Sequence, residues 1–597
     1  MTFKSRYLRQ AIFILLAACP SLATAQQGWL TDYERSGDVA TPDYAHTLAY
    51  LQRLDSASTW VELQYFGVTP EGRRLPLVVL SKEGHFTPEA ARRSGQEVIL
   101  IQSGIHAGEI DGKDASLMLL REIAITRSLE DLADEVVILF MPIFNLDGHE
   151  RISPFNRINQ NGPEEMGWRT TAQNLNLNRD YMKADAPEMR AWLRAFTAWG
   201  VDMLIDCHVT DGIDFQYNAS YAMETHGNMA APVASWQKKL AKSFLRGMEQ
   251  AGDPLVPYVF QREDKDLSKG LVDWASQPRL STGYAAVRNR ANLLIETHML
   301  KPYKDRVTAT YRLLIEVLRF INDNDGDLRD AIEEAEEEDV RRIQESDTTA
   351  FPLTFRSVGQ TGSIKFRGYE SEFRKSAISG GEYQVWDHSK PFTVELPFYG
   401  DVQPVASVHL PRYYLIPQEW KDVTDILNLH GVQLRQLSES TAMPVETYVF
   451  SDAKWRDRPY EGRFPVQFST RTRLDTVRYP AGTWVVDLAQ PAMRVAVNLL
   501  EPAAPDALVY WGFFTAVFEQ KEYFENYVME VVAKDMLDRD PTLRTEFESK
   551  LSSDSTFAAN PRARLQFFYE RSPWFDKEMN VYPVGRCMTS AALPLTF

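Results

Sequence analysis

Cysteine is scarce in this chain: three in 597 residues, at positions 19, 207 and 587. So few thiols exclude a disulfide framework and a thiolate zinc site, so any metal must be held by histidine and carboxylate. Excess positive charge is also missing. A formal net charge of -17 gives no basic surface for nonspecific nucleic-acid binding, which removes nucleic acid as a partner. No apolar run is long enough to span a bilayer. The Gly-x-Ser-x-Gly elbow of serine hydrolases does not occur. His149-Glu150 is followed by Arg151-Ile152-Ser153 with no second histidine, which excludes a His-Glu-x-x-His metalloprotease.

What is present is core material. Hydrophobic residues make up 44% of the chain and aromatics 12%, enough for several packed units in a polypeptide of this length. Residues 1–25 read as a signal peptide. Lys4, Arg6 and Arg9 precede the apolar "AIFILLAA", and Ala23-Thr24-Ala25 offers a cleavage site, so the mature chain is expected to be secreted or periplasmic. "LAAC", ending at Cys19, offers a lipid anchor as the competing reading, and Pro20 favours cleavage after Ala25.

Residues 30–325 alternate buried-type strands, such as "EVILIQSG" (97–104), "VDMLIDCHV" (201–209) and "ANLLIETHM" (291–299), with stretches of helical periodicity. That pattern predicts an α/β domain with a mixed, mainly parallel sheet flanked by helices. Residues 326–349 are densely charged and read as a solvated linker helix. Residues 350–597 change to short alternating strands, a β-rich module, and return to a helical tail whose clearest segment is 510–537.

"SGIHAGEIDG" (103–112) directly follows the first of those strands and places His106 and Glu109 three residues apart. The pair is either two metal ligands on a strand-end turn or a coincidence of common residues, and the rest of a site decides which. A catalytic zinc takes three protein ligands and keeps one position open. His208 closes the strand "VDMLIDCH", at the strand end where open α/β sheets bind ligands, while Cys207 should face the other way. Glu296 lies inside an apolar strand, where an unpaired carboxylate is costly unless it faces a site or a cation. There it could act as general base. Asn178 and Arg179 could grip an anionic substrate end, and Arg169 could stabilise an oxyanion.

Taken in order, His106-x-x-Glu109, Trp168-Arg169, Asn178-Arg179, strand-end His208 and strand-borne Glu296 resemble the carboxypeptidase A-type zinc metallocarboxypeptidases. "NLDG" (145–148) is similar to that family's Asn-Pro-Asp-Gly turn, with Leu146 in place of proline. The resemblance spans about residues 40–325 and implies one Zn2+ held by His106, Glu109 and His208. It further implies carbonyl polarisation by Arg169, binding of the terminal carboxylate by Asn178 and Arg179, and Glu296 as base and acid. The family's loop tyrosine has Tyr284 as its candidate here. The function implied is a zinc carboxypeptidase acting on peptides with a free C-terminal carboxylate. The alternatives are a zinc amidase of cell-wall peptides or acyl-amino acids, or a non-catalytic peptide- or glycan-binding protein.

Overall fold

The apolar runs assemble into one large sheet. The computed structural model describes residues 28–596, so the signal-like segment and Cys19 lie outside the described residues. Ten strands precede residue 300: β1 (Val61–Val68), β2 (Arg74–Leu80), β3 (Glu97–Ser103), β4 (Val136–Met141), β5 (Met203–Thr210), β6 (Ala219–Ala222), β7 (Val256–Pro257), β8 (Phe260–Gln261), β9 (Leu271–Val272) and β10 (Ala291–His298). Eight form a sheet in the order β1-β2-β4-β3-β5-β10-β6-β7. Its centre, β4-β3-β5-β10, is parallel, and the β1·β2, β2·β4 and β10·β6 pairs are antiparallel.

Every residue of β3, β4, β5 and β10 is buried, as expected of parallel strands covered on both faces. Alternation along each strand divides the side chains between two cores. Val98, Leu100, Leu139 and Leu204 join Trp192 and Phe196 of helix Pro187–Trp199. Ile99, Ile101, Ile205 and Ile295 pack instead with Leu117 and Leu120 of helix Asp111–Ala124 and Leu313 and Val317 of helix Tyr303–Asp323. Cys207 belongs to the second core, so Asp206 and His208 face the first. A slip of one residue would exchange the two sets, so register is strongly specified.

The acidic stretch forms helix Asp327–Gln344, with an apolar seam of Leu328, Ile332 and Ala335 packed into the second core beside Val233 and Leu240. Ten more strands follow: β11 (Phe351–Gly359), β12 (Gly362–Lys375), β13 (Glu382–Tyr399), β14 (Asp401–Val408), β15 (Tyr413–Ile416), β16 (Arg435–Gln436), β17 (Thr441–Trp455), β18 (Val466–Tyr479), β19 (Trp484–Asp487) and β20 (Gly585–Cys587). Six of them form a second sheet, β16-β19-β15-β20-β17-β18, while the β12–β13 hairpin pairs with β9. Tyr414, Ile416, Val486 and Met493 share the core of Trp192 and Phe196, so apolar packing runs without a break from the first sheet to the second.

The tail departs from its expected form. Helix occupies Asn526–Arg539, whereas 510–525 is turns and a short 3-10 segment around Gly512, which has φ +83°. Trp511 and Phe514 are buried there. Burying those rings outweighs the weak helical preference of an aromatic-rich stretch. Among the described residues Cys207 and Cys587 are both buried and form no disulfide. Among the described residues no helix is long and apolar enough to cross a membrane.

Candidate metal centre and active site

β3 hands the chain to a turn that carries His106 and Glu109 before helix Asp111–Ala124 begins. The Glu109 amide donates to the His106 carbonyl at 2.8 Å, which closes the turn and directs both side chains into one space. Gly108 is required by close approach. A Cβ there would lie 2.9 Å from both the Arg157 side chain and the Gly167 carbonyl. His208 reaches the same space from β5. Glu296 stands beside it on β10, because the two residues are direct partners in the parallel register.

The two imidazoles and the Glu109 carboxylate offer ligand atoms that all lie within 4.8 Å of one another, and all three residues are buried. Glu109 Oε2 sits 3.1 Å from Nδ1 of His106 and 3.1 Å from Nδ1 of His208, and accepts the Val209 amide at 3.0 Å. The far nitrogens are engaged elsewhere. His106 Nε2 faces Asn176 Oδ1 at 3.1 Å, and His208 Nε2 faces Asp206 Oδ2 at 2.7 Å. Both rings therefore present Nδ1 to the shared point, with outer partners of the kind that orient metal-binding histidines. Glu109 Oε1 is held by Arg157 at 2.7 Å and Arg169 at 3.2 Å.

Electrostatics separate the two histidines. Burial pulls the His106 imidazole down to about 4. Burial also acts to lower His208, but Asp206 and Glu109 beside it carry its pKa well above the ordinary value. Burial raises Glu109 too, and is overcome by His106 and Arg157, which hold the carboxyl well below its usual range. Glu296 is pushed up chiefly by burial, with Glu109 and Asp206 adding repulsion against the pull of His208 and Arg169.

A cavity of about 260 Å³ opens onto this cluster. Its walls include His106, Glu109 and His208, then Arg169, Asn178, Arg179 and Glu296. Asn178 and Arg179 lie in the short 3-10 turn Leu177–Arg179, and Asn178 Oδ1 accepts the Ser281 amide at 3.1 Å, tying two walls together. The Glu296 carboxylate carries no protein hydrogen bond among the described residues.

Tyr284 is the exception. It is wholly buried in helix Ser281–Val287, stacked on Tyr181 with ring centroids 5.6 Å apart, and its hydroxyl meets His430 Nδ1 at 3.0 Å. It does not line the cavity; Tyr258 does. Tyr258 lies in the loop between β7 and β8, and its sequence neighbourhood has no distinguishing motif. Arg157, Asp206 and Asn176 are also missing from the sequence reading. Asp206 alone had a signal: an acid two residues before His208, on the same face of an apolar strand. His298 bonds the Ile213 carbonyl at 3.0 Å and packs on Phe215, away from the cavity lining.

Residues 47–279 match the family model described as zinc carboxypeptidase, peptidase M14. Carboxypeptidase 2 of Trichophyton rubrum is 23% identical over 484 residues, covering 78% of this chain and 82% of the fungal protein. Among solved structures, carboxypeptidase A of Helicoverpa armigera aligns at TM-score 0.36 and 16% identity, covering 51% of this chain and 80% of the insect chain. A metallo-carboxypeptidase of Burkholderia cenocepacia aligns at TM-score 0.35 and 18% identity, over 47% and 69% of the two chains.

Proposed function

The chain belongs to the zinc carboxypeptidase family through residues 47–279 and is a peptide hydrolase, and from that premise we propose that it removes the C-terminal residue from peptides outside the cytoplasm. The observation that carries this reading is one cavity whose wall joins a His-Glu-His cluster, an unpartnered carboxylate and the Asn178-Arg179 pair. The donor set suits zinc. Two neutral imidazoles and one carboxylate are ordinary ligands of a catalytic site, and three leave a position open. His106, Glu109 and His208 would hold the ion. When bound, zinc lowers the pKa of a water and polarises a carbonyl.

The protein's own groups supply the rest. Arg179 and Asn178 bind the substrate's terminal carboxylate and so fix which peptide bond reaches the metal-binding end of the cavity. Arg169, held against Glu109 Oε1, presents a positive charge to the scissile carbonyl as that oxygen gains charge. Glu296 takes the proton of the attacking water and returns it to the departing amine; its raised pKa suits both halves of that transfer. Tyr258 replaces Tyr284 as the hydroxyl facing the substrate. The signal-like residues 1–25 support export.

Incubation of the zinc-loaded protein with a mixed peptide pool tests the proposal. Free C-terminal amino acids should appear, a chelator should stop their release, and peptides with amidated C-termini should resist. Equal cleavage of amidated peptides would move the assignment to an amidase. Bound zinc with no release from any peptide would make this a binding protein.

A further inference from the structure

The C-terminal half reaches into the site. Glu461, in the turn between β17 and β18, accepts the Asn176 backbone N–H at 3.0 Å. Asn176 Oδ1 in turn accepts the Asn178 amide at 3.0 Å and lies 3.1 Å from His106 Nε2. One residue thus joins a carboxylate from the far half to a metal-binding histidine and to the carboxylate-binding pair. Glu461 itself is anchored. It has φ +51° and Gly462 has φ +76°, a left-handed region that a non-glycine residue keeps only where surrounding contacts hold it. Arg463 supplies those contacts through a two-pronged pair with Asp185, at 2.8 and 2.7 Å, and Tyr460 stacks on Trp511 with planes 9° apart.

We infer that Glu461 is a positioning residue of the active site: through Asn176 it sets both the ring of His106 and the backbone that presents Asn178 and Arg179. An ordinary interface contact would contribute only to stability. A positioning role predicts coupled changes in metal affinity and substrate binding that follow hydrogen-bond acceptance rather than charge. Asn176 has one side-chain oxygen to serve both partners, so movement of its backbone disturbs both at once. The kinetic part of this inference rests on the carboxypeptidase reading. The metal part does not.

The test compares Glu461→Ala and Glu461→Gln in the full chain. Zinc affinity is read by competition with a chromophoric chelator, and kinetics on an N-blocked dipeptide with a free carboxylate. Loss of the one charge-assisted hydrogen bond that both paths share should weaken zinc about tenfold and raise KM about tenfold, with kcat changed less than about threefold. Glutamine keeps an oxygen that accepts the Asn176 N–H, and should restore both values to within about threefold of the parent. Thermal unfolding verifies that the variants are folded. If the alanine variant does not purify folded, Glu461→Ser, too short to reach Asn176, takes its place. A folded alanine or serine variant with parental zinc affinity and KM overturns the inference, as does a glutamine variant as impaired as alanine. If the parent protein releases no amino acid, the carboxypeptidase reading fails while chelator competition still decides the role of Glu461.

Discussion

Replacing Glu296 by glutamine keeps the shape of the side chain and removes one negative charge from the cavity wall. Among the described residues no protein donor bonds the carboxylate, so the substitution removes no hydrogen bond there. The Glu296 side chain is also not one of the three groups that would hold the ion. Zinc should therefore bind the variant as a single ion with nearly parental affinity. Turnover should not survive. Both oxygens of Glu109 are engaged, by Arg157 and Arg169 on one side and by His106, His208 and the Val209 amide on the other, so it cannot take over as base. With no substitute base, the loss belongs toward the upper end of general acid–base effects, about 1,000- to 10,000-fold in kcat. That corresponds to about 4–5.5 kcal/mol of barrier. KM should stay near its parental value, because the clamp is untouched. The assay is steady-state hydrolysis of an N-blocked dipeptide, alongside metal analysis of the same sample. A zinc-loaded variant retaining more than about a tenth of the parental kcat would refute the argument.

Other expectations follow from the same contacts. Arg179→Ala should raise KM for substrates with a free carboxylate by about 10- to 100-fold, the value of a charged hydrogen bond, and leave amidated analogues unaffected; equal losses on both would remove the residue from the clamp. Arg306 is fully buried, donates to Asp111 at 3.0 Å and to the Asn161 and Gly162 carbonyls, so Arg306→Ala should destabilise the large sheet by about 3–5 kcal/mol through an abandoned charge. Denaturant unfolding checks this, and a shift below about 1 kcal/mol would contradict it. Glu188 is buried, both its oxygens lack a hydrogen-bond partner among the described residues, and burial lifts its pKa to about 7. The native state then holds a proton that the unfolded chain has released, so the stability linked to this residue is full below its ordinary pKa and falls as pH rises through about 7. Glu188→Gln should match the parent at pH ~5 and exceed it at pH ~8 in thermal midpoint; a constant difference across that range would sink the assignment.

The meeting of His208 and Glu296 is legible in the sequence because His208 closes one apolar, parallel-type strand and Glu296 interrupts another. Alternation then assigns faces, putting Cys207 in the opposite core. His106 and Glu109 are legible because a tight turn needs only local spacing. Tyr284 is not, because its direction depends on His430, a residue 146 positions away that offers a buried partner for the hydroxyl. Tyr258 has the converse problem: it reaches the cavity through how β7 and β8 lie at the sheet edge, and nothing adjacent in sequence marks it. The segment 510–525 reads as helix on apolar content, yet its rings are recruited by the second sheet. Long-range packing decided each of these, and a single sequence does not report its partners.

The unbroken packing of Trp192 and Phe196 with Tyr414, Val486 and Met493 has a consequence for how this protein can be handled and how it can change. A fragment ending near residue 349 would present an oily wall to water and clump during expression, however complete its catalytic groups. The two halves must also vary in concert: a bulkier side chain on helix Pro187–Trp199 needs a smaller one on helix Lys421–Leu429, which packs against it. Neither half can drift independently.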